Sequence, residues 1–146
     1  MASCTYMSFF DDAIRGLIDV DNATYKVLLT TSTYVENQDT HLTRNDVTGE
    51  VAAGNGYTAG GNTATVTVTK NTAANTITIS LGGTTWTTGA GQTLTARKAV
   101  WYVSTGTITT DRLVGVNDFV TDQIASNGGT LTLPASTITL TISAPA

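Results

Sequence analysis

Four side chains of the types used by metal sites and acid–base catalysts fall within a dozen residues: Asp39, His41, Asp46 and Glu50. Carboxylates and imidazole are ordinary ligands for divalent cations. Asp-x-His is a common tripeptide, however, and nothing in the spacing brings the four to one point. Asp39 and Asp46 equally suit the capping of turns and backbone amides. His41 is the only histidine and Cys4 the only cysteine. A lone histidine among so many hydroxyls singles out no nucleophile, so no Ser-His-Asp set can be assigned. One cysteine and one histidine cannot build a structural zinc site, and one cysteine cannot close an internal disulfide. Gly54-Asn-Gly-Tyr-Thr-Ala-Gly-Gly61 superficially suggests a phosphate cradle. It lacks the Lys-Ser/Thr of a P-loop and the spacing of a dinucleotide fingerprint. A turn or bulge with Tyr57 packed beneath it is the better reading. Trp86, Trp101, Tyr102 and Phe119 could form a sugar platform, but aromatics dominate small β cores, which favours the interior for most of them. The expectation is a non-enzymatic protein with no metal site and no cofactor.

The rest of the chain has to position these groups. Its 146 residues suit one domain spanning 1–146. Charged residues are 12%, about half the usual share. Threonine, with 32 copies, takes their place. The net charge of −4 argues against a nucleic-acid partner. No stretch approaches 18 apolar residues, so no membrane partner is expected, and no secretory signal is visible. Charge is also unevenly placed. Residues 1–50 hold eight of the eleven acids, Lys70 is the only charge between Glu50 and Arg97, and residues 123–146 hold none. Uncharged strands invite pairing. Either they are covered, by a partner or by copies of the same chain, or the hydroxyls keep them soluble.

The periodicity is mostly that of strands. Ser8-Phe9-Phe10-Asp11 resembles a capping box and predicts a helix of about two turns over residues 9–15, stopped at Gly16. Phe9, Ala13 and Leu17 would share its inner face, with Phe10 and Ile14 beside them. So short a helix must dock, on its own sheet or on a neighbouring subunit. Strands are predicted over 24–30, 63–69, 75–81, 96–104, 112–120, 130–133 and 137–143, with a further short one around Trp86. Ala64, Val66 and Val68 point inward in the second, and Ile138, Leu140 and Ile142 in the last. Seven or eight short strands at this spacing mean a sandwich, jelly roll or small barrel. Residues 32–61 form a long connection after an N-terminal arm of residues 1–20. Such a connection is usually functional or hides a short element, and residues 43–47 could be one helical turn.

The order of motifs resembles that of small proteins encoded among tailed-phage structural genes. Those begin with a short helix ending in Gly-x-Ile-Asp, followed by a strand like IKVALLTSSY. A block DTH…SDV…EV…GTGYTAGG comes next, then TW, ARYAVIY and LIAYVDF. This chain has Gly16-Leu-Ile-Asp19, Tyr25 to Tyr34, Asp39-Thr-His41, Asn45-Asp-Val47, Glu50-Val51 and Gly56 to Gly61, then Trp86, Ala96 to Tyr102 and Leu113 to Phe119. The tail departs from the pattern in being richer in threonine. The resemblance implies an all-β, antiparallel sandwich, jelly-roll-like, with one short N-terminal helix. It implies a cement or decoration protein on the outer surface of the virion capsid. Its partners would be the major capsid protein and copies of itself, as a dimer or trimer. We expect the shell contact on the N-terminal arm and the 32–61 loop, with Phe9, Phe10, Tyr34, His41 and Tyr57 as candidates. Replacing Tyr34 and Tyr57 by Ala is then expected to weaken that contact without unfolding the domain. The alternative is a tail or head-fibre component or a host-glycan binding module, which would need Trp86 and Trp101 exposed in a groove.

Overall fold

The computed structural model describes residues 3–143; Met1 and Ala2 of the expected arm, and residues 144–146, lie outside the described residues. In chain order the strands are β1 (Cys4–Thr5), β2 (Tyr25–Thr30), β3 (Asn62–Ala64), β4 (Val66–Asn71), β5 (Thr76–Leu81), β6 (Thr84–Thr87), β7 (Thr93–Val103), β8 (Arg112–Ser126), β9 (Thr130–Leu133) and β10 (Ser136–Thr141). One helix, α1 (Met7–Ile14), lies between β1 and β2. All pairings are antiparallel. They make a five-stranded sheet ordered β1-β8-β7-β2-β3, a three-stranded sheet β10-β5-β4 and a two-stranded ribbon β6-β9. The fold is all-β and sandwich-like, as expected. These pairings do not by themselves make a jelly roll.

The five-stranded sheet is buried on both faces through its middle, while the β7–β8 ladder beyond Arg97 keeps one face exposed. One face places Val27, Leu29, Ala99, Trp101 and Val114 against Ile79 and Leu81 of β5, Trp86 of β6, and Leu131 and Leu133 of β9. The other carries Leu28, Val100, Tyr102, Leu113 and Val116 beneath Tyr6 and Tyr34. Double burial explains why β2 and the second half of β7 read as continuous apolar runs. Only a strand with one wet face needs strict alternation.

Several elements differ from the expectation. The helix starts at Met7, after Tyr6, with no side-chain cap. Tyr6 is buried in the second core, which fixes where the chain must turn into the helix. The Met7 amide donates instead to the Gln38 carbonyl at 3.0 Å, and Ser8 Oγ to the His41 carbonyl at 3.4 Å. Phe9 docks in the main core, whereas Ile14 and Leu17 are exposed. The run 63–69 is two strands in two sheets, separated at Thr65, and Val68 is exposed. The switch brings Thr65 against Gly82, whose amide donates to the Thr65 carbonyl at 2.6 Å. A side chain at Gly82 would collide with Thr65. In the last strand Ile138 is partly buried, but Leu140 and Ile142 are exposed. β8 runs six residues beyond the expected end because it carries a large bulge. Lys98 faces Asp118 and Ala96 faces Gln123, so residues 119–122 stand opposite Arg97 alone.

Val120 sits in that bulge at φ +68°, a left-handed conformation that crowds a β-branched side chain. Its amide donates to Asp118 Oδ1 at 2.8 Å, and its side chain is 72% exposed. The backbone there is held by Asp118 and by the ladder, not by Val120 packing. Val120→Gly is therefore expected to raise stability by about 1 kcal/mol in a denaturant titration, since glycine removes the Cβ cost and little burial is lost. At Gly61, φ is +71° and a Cβ would collide with the Val27 carbonyl. Gly61→Ala is expected to lower stability by about 2 kcal/mol or more in the same titration.

Candidate functional site

The long connection is an ordered cover whose first part, with Tyr34 and Val47, lies over the second face of the central sheet, and whose last part turns Tyr57 into the main core. It leaves β2 with the Thr31 amide donating to Gly49 and the Val51 amide donating to Leu29, both at 2.9 Å. Its middle is one turn of 3-10 helix, Arg44–Asp46, within the span expected to be helical. Asp46 Oδ2 caps that turn by accepting from the Leu42 and Thr43 amides, each at 2.9 Å. Those backbone bonds hold the Asp46 carboxyl below its ordinary range, against the opposing effect of partial burial. The Arg44 amide donates to Asp111 and the Leu113 amide to Leu42, tying the cover to the start of β8.

Three charged anchors pin the cover from below. Lys98, in the centre of β7, is buried and pairs with buried Glu36. Its Nζ also donates to the Tyr34 carbonyl at 2.9 Å and lies 3.8 Å from Asp118 Oδ2. Arg44 donates to the Tyr102 hydroxyl at 3.0 Å and lies 3.4 Å from Asp111; Tyr102 in turn donates to the Gly60 carbonyl at 2.7 Å. Glu50 Oε1 accepts from the Tyr57 hydroxyl at 2.8 Å and the Gly60 amide at 2.6 Å, while the Tyr57 oxygen accepts the Leu29 amide at 3.2 Å. Gly54 and Tyr57 form a small bridge, so the glycine-rich segment is the turn with Tyr57 packed beneath it.

A hydroxyl chain completes the cover. Tyr6 and Tyr34 oxygens lie 2.6 Å apart, and the Tyr34 oxygen is 3.1 Å from His41 Nδ1. The Asn37 amide also points at Nδ1, at 3.4 Å, which makes that nitrogen an acceptor and Tyr34 its donor. Burial pushes the Tyr34 phenol up to about 12, only partly opposed by the bond from Tyr6.

The five expected contact residues thus separate. Phe9, Tyr34 and Tyr57 are interior side chains, and Phe10 and His41 are half-buried. Tyr34 and His41 are brought together, stacked at 5.8 Å; Phe9 and Phe10 are 5.5 Å apart; Tyr57 stands elsewhere, against Trp86. Replacing Tyr34 or Tyr57 by Ala would open a cavity and orphan buried partners, so the expectation of an unaffected fold does not hold. Asp46 Oδ2 and Glu50 Oε1 bond within the cover itself. Among the described residues no three His, Cys, Asp or Glu side chains are grouped to hold a metal ion. Trp86 and Trp101 are buried in the main core and present no ring to a sugar.

Apolar side chains are exposed around α1. Met7 is 58% and Ile14 86% exposed, with Phe10 half-buried between them. Met7 and Ile14 lie on the side of α1 away from Phe9, beside the exposed Asp11–Arg15 ion pair, while Phe10 packs against the main core next to Phe9. Leu17, just past the helix, is exposed as well. α1 is held to the sheet by Phe9 and by Asp12, whose carboxylate lies 3.3 Å from Arg112 Nε. Comparisons with protein-family models, with curated proteins and with solved structures find no match in any of the three.

Removing one partner of the buried ion pair strands the other. Lys98→Met is expected to cost about 3–5 kcal/mol in denaturant unfolding, and adding Glu36→Leu should restore much of it. Acid should act through Asp118. Burial pushes its carboxyl up, but the Arg97 bond at 2.8 Å, the Val120 amide and the Lys98 charge together hold it below the usual value. Its contribution is therefore full above the unfolded carboxylate range and is lost as pH falls through the lower folded value. Asp118→Asn should flatten the acid limb of a stability-versus-pH profile below about pH 4 and lower the plateau above it.

Proposed function

We propose that this protein is a structural component of a tailed-phage virion. In this reading it is a cement or decoration protein that binds the outside of the icosahedral shell across contacts between major capsid protein subunits. The order of motifs from Gly16 to Phe119 supplies the partner. The observation that carries the contact is the exposure of Met7, Ile14 and Leu17, with half-buried Phe10 at their margin. Exposed apolar clusters of this kind mark interaction sites. They sit on a helix whose other side is fixed by Phe9 and the Asp12–Arg112 pair, so little order has to be gained on docking.

The mechanism is binding alone. A ligand that recognises the assembled shell and not its separate subunits stabilises the shell by mass action. Copies that hold several subunits at once gain by effective concentration, so each contact can be weak. The contact residues assigned to this role are Met7, Phe10, Ile14 and Leu17 in place of the interior rings of Phe9, Tyr34 and Tyr57.

Co-sedimentation of the full chain with empty shells, beside separate capsid subunits, tests the reading. Binding to shells alone is the expected outcome, and binding to neither overturns it. Burying one such aliphatic side chain contributes about 1.5–3 kcal/mol. Ile14→Asp should therefore weaken shell binding by about tenfold or more with an unchanged melting temperature. Unaltered occupancy would remove α1 from the contact.

A further inference from the structure

The three-stranded sheet has two unlike faces. Its cross-strand rows join Val68, Ile79 and Ile138, then Lys70, Ile77 and Leu140. The rows between them carry only hydroxyls: Thr67, Ser80 and Thr137, then Thr69, Thr78 and Thr139. Ile79 reaches the core and Ile138 packs partly against it. Val68, Leu140 and Ile142 are left exposed. The apolar face extends beyond the core it packs on.

The outer edge of β10 is also unused. Among the described residues β10 pairs with β5 and with no other strand. The Ile142 amide donates to the Asn75 carbonyl at 2.8 Å, which sets the parity of the ladder. Even-numbered residues of β10 direct their backbone groups to β5, so those of Thr137, Thr139 and Thr141 face outward. Proteins normally blunt such an edge with lysine, proline or a bulge. The opposite edge, β4, has Lys70. Ser136–Thr141 is uncharged, unbroken and rich in β-branched residues, and has none of these devices.

We propose that the β10 edge pairs with the same edge of a second copy of this chain, across a two-fold axis at Thr139. The register follows from two requirements. Outward-facing residues must meet outward-facing residues, and hydroxyl must lie beside hydroxyl on the same face. Centring on Thr139 satisfies both from Thr137 to Thr141. Thr139 meets the partner's Thr139, and Thr137 meets the partner's Thr141, giving three hydrogen-bonded pairs of two bonds each. Ile138 then lies beside the partner's Leu140, which joins the two exposed apolar faces into one. A slip of one residue would set threonine against leucine throughout.

Charge selects a second copy as the occupant. The chain carries a net −4, and its acids lie in residues 1–50 and at Asp111, Asp118 and Asp122. β10 and everything after Asp122 are neutral. Two copies meeting here bring together the part of each that does not repel the other. The strand is its own complement under the two-fold, as an isologous contact requires. This inference does not rest on the shell-binding reading.

Sedimentation equilibrium of the full chain, with amide hydrogen exchange, tests it. Thr139→Pro removes an outward amide that β5 does not use, and Thr139→Lys places like charges on the axis. The expected result is twice the monomer mass, with the Thr137, Thr139 and Thr141 amides protected as concentration rises. Both variants should sediment as monomers, and Thr139→Lys should keep the melting curve that the wild-type chain shows at concentrations low enough to be monomeric. A monomer at all concentrations up to about 1 mM overturns the proposal. So does a dimer that survives Thr139→Lys, or one in which these three amides exchange freely.

Discussion

The middle of the central sheet has no face left for water, and the rest of the molecule is arranged around that constraint. Its first face meets other strands, which bring their own satisfied backbone. Its second face meets chain without a ladder, and every buried amide and carbonyl in such a cover needs a partner of its own. The sheet provides several. Lys98 reaches up to the Tyr34 carbonyl and Glu36, and Tyr102 donates to the Gly60 carbonyl. The cover provides others: Glu50 takes the Gly60 amide, and Tyr57 takes the Leu29 amide left on the β2 edge beyond β3. A buried ion pair is weak evidence for net stability, because desolvation offsets much of its attraction. Its effect here is on placement. Any other seating of the cover leaves Glu36 charged without its cation and Lys98 with only the longer contact to Asp118.

Much of this architecture is legible in the residues, for physical reasons that also show where reading fails. Period two located most of the strands because Thr-x-Thr-x alternation leaves few other conformations that bury the apolar half. The same alternation hid the break at Thr65, since parity is unchanged when a strand leaves one sheet for another. The clue was Gly82, which marks a close backbone approach. The Ser8–Asp11 box was overridden by Tyr6, whose burial is a tertiary fact with no local signature. Tyr34 reads as a surface contact because loops usually lie on the surface, and Tyr57, although it reads as packed beneath its turn, counts as an expected contact too. Their hydroxyls bind inside the fold. Lys98 was the available signal for the buried network: a cation within Ala-Arg-Lys-Ala-Val-Trp-Tyr has to find an acid, and Glu36 stands in the connection. Nothing in the residues around Val120 announces the four-residue bulge.

The low charge of the chain acquires a structural meaning. Glu36, Lys98, Arg97, Asp118, Arg44 and Asp111 are all in ion pairs with at least one largely buried side chain. Asp12 and Arg112 pair in the same way under α1. The charges left for the surface are fewer than composition suggests, and hydroxyls take over the wetting of the strands. Threonine suits that task because its methyl group and branched Cβ favour a pleated strand while its oxygen faces water.

This division also decides what the exterior can recognise. A surface poor in charge attracts partners weakly over distance, so selectivity must come from shape and apolar fit at contact. Fit of that kind demands a fixed geometry, because each loosely held side chain costs free energy when it is immobilised. The cover provides it. The Met7 amide is bonded to Gln38 and Ser8 to His41, so the start of α1 is tied to the same segment that Lys98, Arg44 and Glu50 hold against the sheet. The buried charges and the exposed apolar side chains are therefore parts of one arrangement: the first keep the cover in register, and the register sets where Met7, Phe10 and Ile14 stand.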